Sequence, residues 1–234
     1  MHYFLANHAF VCGIGPDVII LDLRRHQYVI FERDYWEPIA RNIGGWPESI
    51  ASRIKGLTPD KNVLAQLLES ELLTEDGDRG KDAAPASTQL PSTALMEDFD
   101  ITPPTIRIGH GFAFLGSVLF ALVNSRLMSV EHIVARARRI QQRATSYRIP
   151  DVATLRELTE IFRRLRPFLF ASRGNSLFES LALLHFLSRY RIHPTWVFGV
   201  RNAPFETHCW LQFDKIACND PLDRIRRYTP IMRV

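Results

Sequence analysis

The chain has 234 residues, 46% of them hydrophobic and 23% charged, an ordinary globular composition with room for one large or two small domains. Its net charge of +4 is unevenly spread, with −4 over residues 1–83, −3 over 84–104 and +11 over 105–234. Cys12, Cys209 and Cys218 are too few and too irregularly spaced for a disulfide framework or a metal knuckle, and residues 1–10 show no export signal, so a reducing cytoplasm is expected.

In chain order, "HYFLANHAFVCGIG" reads as a long or broken strand. "DVIILDL" (17–23) and "QYVIF" (27–31) read as two strands joined by a polar hairpin. Helical stretches follow over 34–44, 47–56 and 59–73, the last with Leu64, Leu67 and Leu68 on one side and Pro59 near its first turn. This order of elements describes a small winged-helix-like domain over 1–81. Its negative charge argues against DNA as the ligand, because phosphate contacts need cations. Residues 82–105 are rich in Ala, Pro, Ser and Thr and end in a Pro-Pro pair, which predicts an exposed linker.

Beyond the linker, residues 106–234 form the second predicted domain, with helices over 107–128, 129–145, 151–170 and about 176–190. The stretch "GFAFLGSVLFALV" (111–123) is shorter than the ~20 residues that span a bilayer, so no transmembrane segment is expected. It reads as a buried helix, with a membrane-surface helix as the alternative. Short strands over 195–200, 208–213 and 215–220 complete an α+β architecture, helices first and a small antiparallel sheet last. The Arg-rich helices read as solvated faces or as an attractor of acidic partners.

The chemistry concentrates in the last 60 residues. "HCWLQFDKIACND" reads as a hairpin turning at Asp214–Lys215, and a pairing centred on residue 214 sets His208 opposite Asp220. An acidic group there can fix the imidazole tautomer and stabilise its charged form. Ser176 begins a helix, where free amides and the helix dipole favour an anion. Ser176 and Glu179 also fit a capping box, in which the serine accepts from the Glu179 amide and Glu179 reaches back.

The residues "SLFESLAL" and "VFGVRNAPFETHCW", with the later "ND" and "YTP", resemble the C-terminal half of lasso-peptide biosynthesis B proteins. In that family a Cys-(x)3-Ser-x-Ala-Leu helix precedes a G-V-R-x-x-P-F-x-x-H-x-W strand pair. Spacings of 32 from position 176 to His208 and 12 from His208 to Asp220 match the family's Cys–His–Asp triad. The resemblance implies a papain- or transglutaminase-like peptidase with Ser176, His208 and Asp220 as its catalytic positions. It also implies an N-terminal leader-recognition module (PqqD-like), here fused to the peptidase. A precursor leader would add as a strand beside Tyr28, Val29, Ile30 and Phe31, against Leu64, Leu67 and Leu68. Phe205 and Trp210 either line the substrate groove or pack in the core.

The implied activity is leader cleavage in lasso-peptide maturation; the alternative is a non-catalytic leader-binding scaffold. The implied partners are the precursor peptide and an asparagine-synthetase-like lasso cyclase, which would be the component that uses ATP. No cofactor, metal or nucleic acid is expected on this chain. Position 176 departs from the family: a serine hydroxyl is far less acidic than a thiol. An introduced substitution, a natural alteration and a working serine nucleophile are the three readings. Cys209, next to His208 on a strand, reads as packing, and Cys218 is the one cysteine that could substitute as nucleophile.

Overall fold

The computed structural model describes residues 2–40, 42–46, 61–84, 86, 88–97, 103–142, 151–168 and 176–234. The helix expected over 47–56 lies outside the described residues. Two compact units are present: Met1–Thr88 with Arg201–Pro204 and Thr229–Met232, and Gln89–Val200 with Phe205–Tyr228 and Arg233–Val234. Helices and sheets are largely segregated along the chain, giving a mixed α+β fold.

In the first unit the opening apolar run breaks at Asn7–His8 into β1 (Phe4–Ala6) and β2 (Ala9–Ile14). A two-residue turn leads into β3 (Asp17–Asp22), with Gly15 at φ 57°, a conformation open to glycine at little cost. β4 (Gln27–Glu32) pairs antiparallel with β3 from Asp22↔Gln27 to Asp17↔Glu32. The Asp22 carboxylate closes this second turn, accepting from the amides of Arg24 (2.9 Å) and Arg25 (3.2 Å) and from the Arg25 guanidinium (2.8 Å).

The strands lie in the order β2-β3-β4, so β4 is an edge among the described residues. Helices α1 (Arg33–Ala40) and α2 (Lys61–Glu69) bury Trp36, Ile39 and Leu67 in one core with Val11, Val18 and Ile20. The second of these stops at Glu69, short of the expected 73. Glu71 turns left-handed at φ 58°, and the amides of Glu71 and Leu72 cap the carbonyls of Leu68 and Leu67. The chain then forms β5 (Leu73–Thr74) and β6 (Gly80–Lys81), which flank β1.

The second unit starts at Gln89, inside the stretch expected to be linker. Within the stretch read as an exposed linker, Thr93–Ala94 forms a strand, β7, and Leu95–Glu97 a turn of 3-10 helix. The amides of Ser92 and Thr93 donate to the Lys215 carbonyl at 2.9 and 3.2 Å. Four helices follow: α3 (Ile108–Leu127), α4 (Val130–Gln142), α5 (Val152–Leu165) and α6 (Ser176–Ser188). The last is apolar almost all round and packs against α3 and a central strand of the sheet.

Helix α3 is longer than its apolar run suggested, at 20 residues, and is the one helix among the described residues long and apolar enough to cross a bilayer. The expectation that it is buried holds for one side only: Ala113, Phe114, Ser117, Ala121 and Asn124 are covered, whereas Ile108 is 82% and Phe112 71% exposed.

The chain ends with β8 (Thr195–Arg201), β9 (Glu206–Phe213), β10 (Ile216–Ala217), a short helix α7 (Leu222–Ile225) and β11 (Thr229–Arg233). The sheet order is β11-β8-β9-β10-β7, with the β10–β7 pair parallel. Gly199 in β8 is required by packing: a Cβ there would sit 2.7 Å from the Trp210 ring. The Trp196 indole donates to Ser180 Oγ at 2.8 Å, and Ser180 donates to the Ser176 carbonyl at 2.5 Å, which ties the first turn of α6 to the sheet.

Candidate active site

Ser176 is the first residue of α6, and its side chain is half-buried. Its hydroxyl does not make the expected capping box. Instead Ser176 Oγ accepts from the Cys209 amide at 3.3 Å and lies 3.5 Å from Cys209 Sγ. Glu179, the other half of the box, is turned to Arg166, with an Oε1–Nη2 distance of 2.5 Å. A guanidinium within reach outcompetes a single backbone amide for a carboxylate.

His208 and Asp220 do come together, with Nε2 and Oδ2 3.1 Å apart and both residues buried. The N–H direction is off line, so the contact is an ion-pair distance without a formed hydrogen bond. The reason for their meeting differs from the expected one. The β9–β10 register is Ile216↔Phe213 and Ala217↔Gln212, one residue away from a pairing centred on 214. A regular ladder would therefore put Asp220 opposite Cys209. The chain leaves the ladder instead, bending over residues 218–220. The Asn219 side chain accepts the Leu211 amide at 2.7 Å in place of a backbone carbonyl. That bend carries the carboxylate to His208.

Asp220 has two further partners: Asn219 Nδ2 donates to Oδ2 at 3.1 Å, and Arg224 Nη1 to Oδ1 at 3.4 Å. The His208 ring packs against Tyr228, with centroids 5.1 Å apart, and Tyr228 in turn donates to Glu206 at 2.8 Å. With Nε2 toward the carboxylate, Nδ1 is the imidazole atom left for proton transfer.

Ser176, His208 and Asp220 line one cleft of about 350 Å³, together with Arg166, Glu179, Asn219 and Arg224. The sequence reading missed these last four as site residues. The i,i+4 spacing of Asp220 and Arg224 was the available signal for one of them. A smaller, mostly apolar cavity of about 30 Å³ shares Arg166, Glu179 and Asn219 with the cleft and is lined also by Thr159, Phe162, Leu183 and Cys218.

The cysteines are poor substitutes for a nucleophile. Burial pushes the Cys218 thiol up to about 12 and the Cys209 thiol up to about 11, so both stay protonated near neutral pH. Cys218, the replacement considered from sequence, is fully buried beside the small cavity. Among the described residues no group of three or more His, Cys, Asp or Glu side chains could hold a metal ion.

The other residues singled out from sequence divide. Trp210 is fully buried in the core with Val197 and Ile225, its indole donating to Gln212 at 2.9 Å; it does not line the cleft. Phe205 lies in the β8–β9 turn and is 41% exposed. Tyr28, Val29, Ile30 and Phe31 lie on the edge strand β4, where Ile30 is exposed and Val29 and Phe31 pack partly on the core. Leu64 and Leu68 are half-buried on α2, and Leu67 is in the core.

Residues 118–233 match the family model of the transglutaminase-like superfamily. The C-terminal part is a transglutaminase-like domain. That superfamily contains cysteine-protease-type enzymes, and the transglutaminase-like domain here has a fold compatible with a cysteine peptidase. Comparisons with curated proteins and with solved structures return no match.

Proposed function

We propose that this chain is a leader peptidase of lasso-peptide maturation, built from a winged-helix-like leader-recognition domain and the transglutaminase-like domain. The observation that carries the reading is the His208–Asp220 contact in a cleft that also holds the start of α6. The "VFGVRNAPFETHCW" segment, which contributes His208, supports the narrower family assignment.

In the cysteine form of the site, His208 Nδ1 takes the proton of the thiol at position 176 while Asp220 orients the ring. The thiolate attacks the carbonyl at the leader–core junction. His208 returns the proton to the departing core amine, and water then releases the leader from the acyl-enzyme. The Cys209 amide, now donating to Ser176 Oγ, stabilises charge on that atom, as does the helix N-terminus. The leader would add beside β4, with Ile30 and the half-buried Leu64 and Leu68 as apolar contacts. The freed core amine would pass to an ATP-dependent lasso cyclase.

A non-catalytic scaffold is the second reading, and the hydroxyl at position 176 is the observation that favours it. Incubating the chain and its Ser176→Cys variant with a precursor peptide, followed by mass spectrometry, separates the two. Cleavage at one junction by the Ser176→Cys variant supports the peptidase; binding without cleavage by either supports the scaffold.

A further inference from the structure

Helix α3 turns an apolar side outward. Ile108, Phe112, Leu115, Leu119, Leu122 and Leu127 are 41% to 82% exposed, and the helix carries no Asp or Glu. Positions 108, 112, 115, 119, 122 and 126 follow a 4-3-4-3-4 spacing, the seam of paired helices. Arg126 alone breaks its apolar character.

The glycines of α3 point the same way. Gly109, Gly111 and Gly116 flank the seam, and a Cβ at any of them would meet nothing within 4 Å; Gly116 is the one at mid-helix. Glycine in a helix interior costs about 0.5–1 kcal/mol relative to alanine, and no contact within the protomer requires it. A second helix backbone approaching closely does require it.

We propose that a second copy of this chain docks on this face, α3 against α3, antiparallel about a twofold axis at the level of residue 117. The seam spacing reads the same in both directions, so one register satisfies every layer. Leu115 meets Leu119 of the second copy, Phe112 meets Leu122, and Ile108 packs under the Arg126 stem. The two Gly116 backbones cross nearest the axis. A twofold makes the contact isologous and closed, and it opposes the two helix dipoles. A parallel pairing would instead set Arg107 on Arg107 and Arg126 on Arg126. The five exposed apolar side chains of the seam, from Ile108 to Leu122, offer on the order of 100 Å² each, roughly 500 Å² per copy and about 1,000 Å² in total, the area at which a specific interface becomes stable. An anionic lipid surface fits less well, since interfacial helices carry several cations around the apolar face, whereas this one has Arg126 near one end and Arg107 just before the other, with none between.

Light scattering on the full chain at tens of micromolar should return twice 26.9 kDa. Leu115→Glu with Leu119→Glu, and separately Gly116→Leu, should return the monomer mass, with circular dichroism and thermal melting showing that each variant is folded. Under mild oxidation Gly116→Cys should cross-link to itself, whereas Ile108→Cys should not, because Cys12, Cys209 and Cys218 are buried and antiparallel pairing separates the two positions 108. A monomer at all concentrations, a dimer that survives both sets of substitutions, or a monomer that sediments with phosphatidylglycerol vesicles overturns the proposal.

Discussion

At position 176 the side chain sits between two different neighbours: a donor amide that steadies negative charge and a buried thiol 3.5 Å away. Replacing Ser176 by Cys brings two sulfurs to that spacing. The Ser176→Cys variant is therefore expected to lose activity under mild oxidation and to regain it with a thiol reductant. Cys209→Ala in the same background should abolish the oxidant sensitivity, read as protection from the loss of two hydrogens in the intact mass. In that background His208→Ala should lower kcat about 10³-fold or more, because the thiol loses its base. Asp220→Asn should keep substrate binding and lower kcat: its single carbonyl oxygen can accept from Asn219 or from Arg224, one contact kept where the carboxylate had two. Both effects are read from steady-state kinetics on a precursor peptide.

Individual elements carry their own thresholds. Gly199→Ala drives a methyl into the Trp210 ring, and overpacking of this kind costs about 1–3 kcal/mol, measured by denaturant unfolding. In the β3–β4 turn, burial alone would raise the Asp22 carboxyl, but the Arg25 guanidinium, the Arg24 and Arg25 amides and the nearby His8 hold it below the usual carboxylate range. Its folded value is lower than its unfolded one, so the stabilisation is fully present above the unfolded value near 3.9 and is lost as pH falls through the folded value. Asp22→Asn should flatten that acid limb in pH-dependent melts. Most element types could be read from periodicity and turn chemistry, including the hairpin and α6. Asp220 does meet His208, but not for the reason its spacing suggested: cross-strand register cannot reveal a side chain such as Asn219 standing in for a backbone acceptor. The end of α2 was missed because its stop is a left-handed Glu71, with no glycine to mark it. The half-exposed α3 was missed because uniform apolarity gives no sign of which side is covered.

For the molecule as a whole, precursor capture and chemistry are proposed to sit on separate parts of one chain. Ile30→Asp on β4 is then expected to raise KM or the Kd for the leader about 10-fold or more and to leave kcat at saturation nearly unchanged, a split that titration and kinetics on Ser176→Cys would show. Composition placed the domain boundary near 105, because Ala, Pro, Ser and Thr dominate up to that point and β7 is only two residues long. The cut between pieces therefore matters for more than bookkeeping. A fragment beginning at 106 would leave the backbone of β10 unsheathed, and bare sheet margins recruit strands from neighbouring molecules. One beginning at 89 keeps that margin covered. Solubility on recombinant expression, more than activity, is where the two lengths should part company.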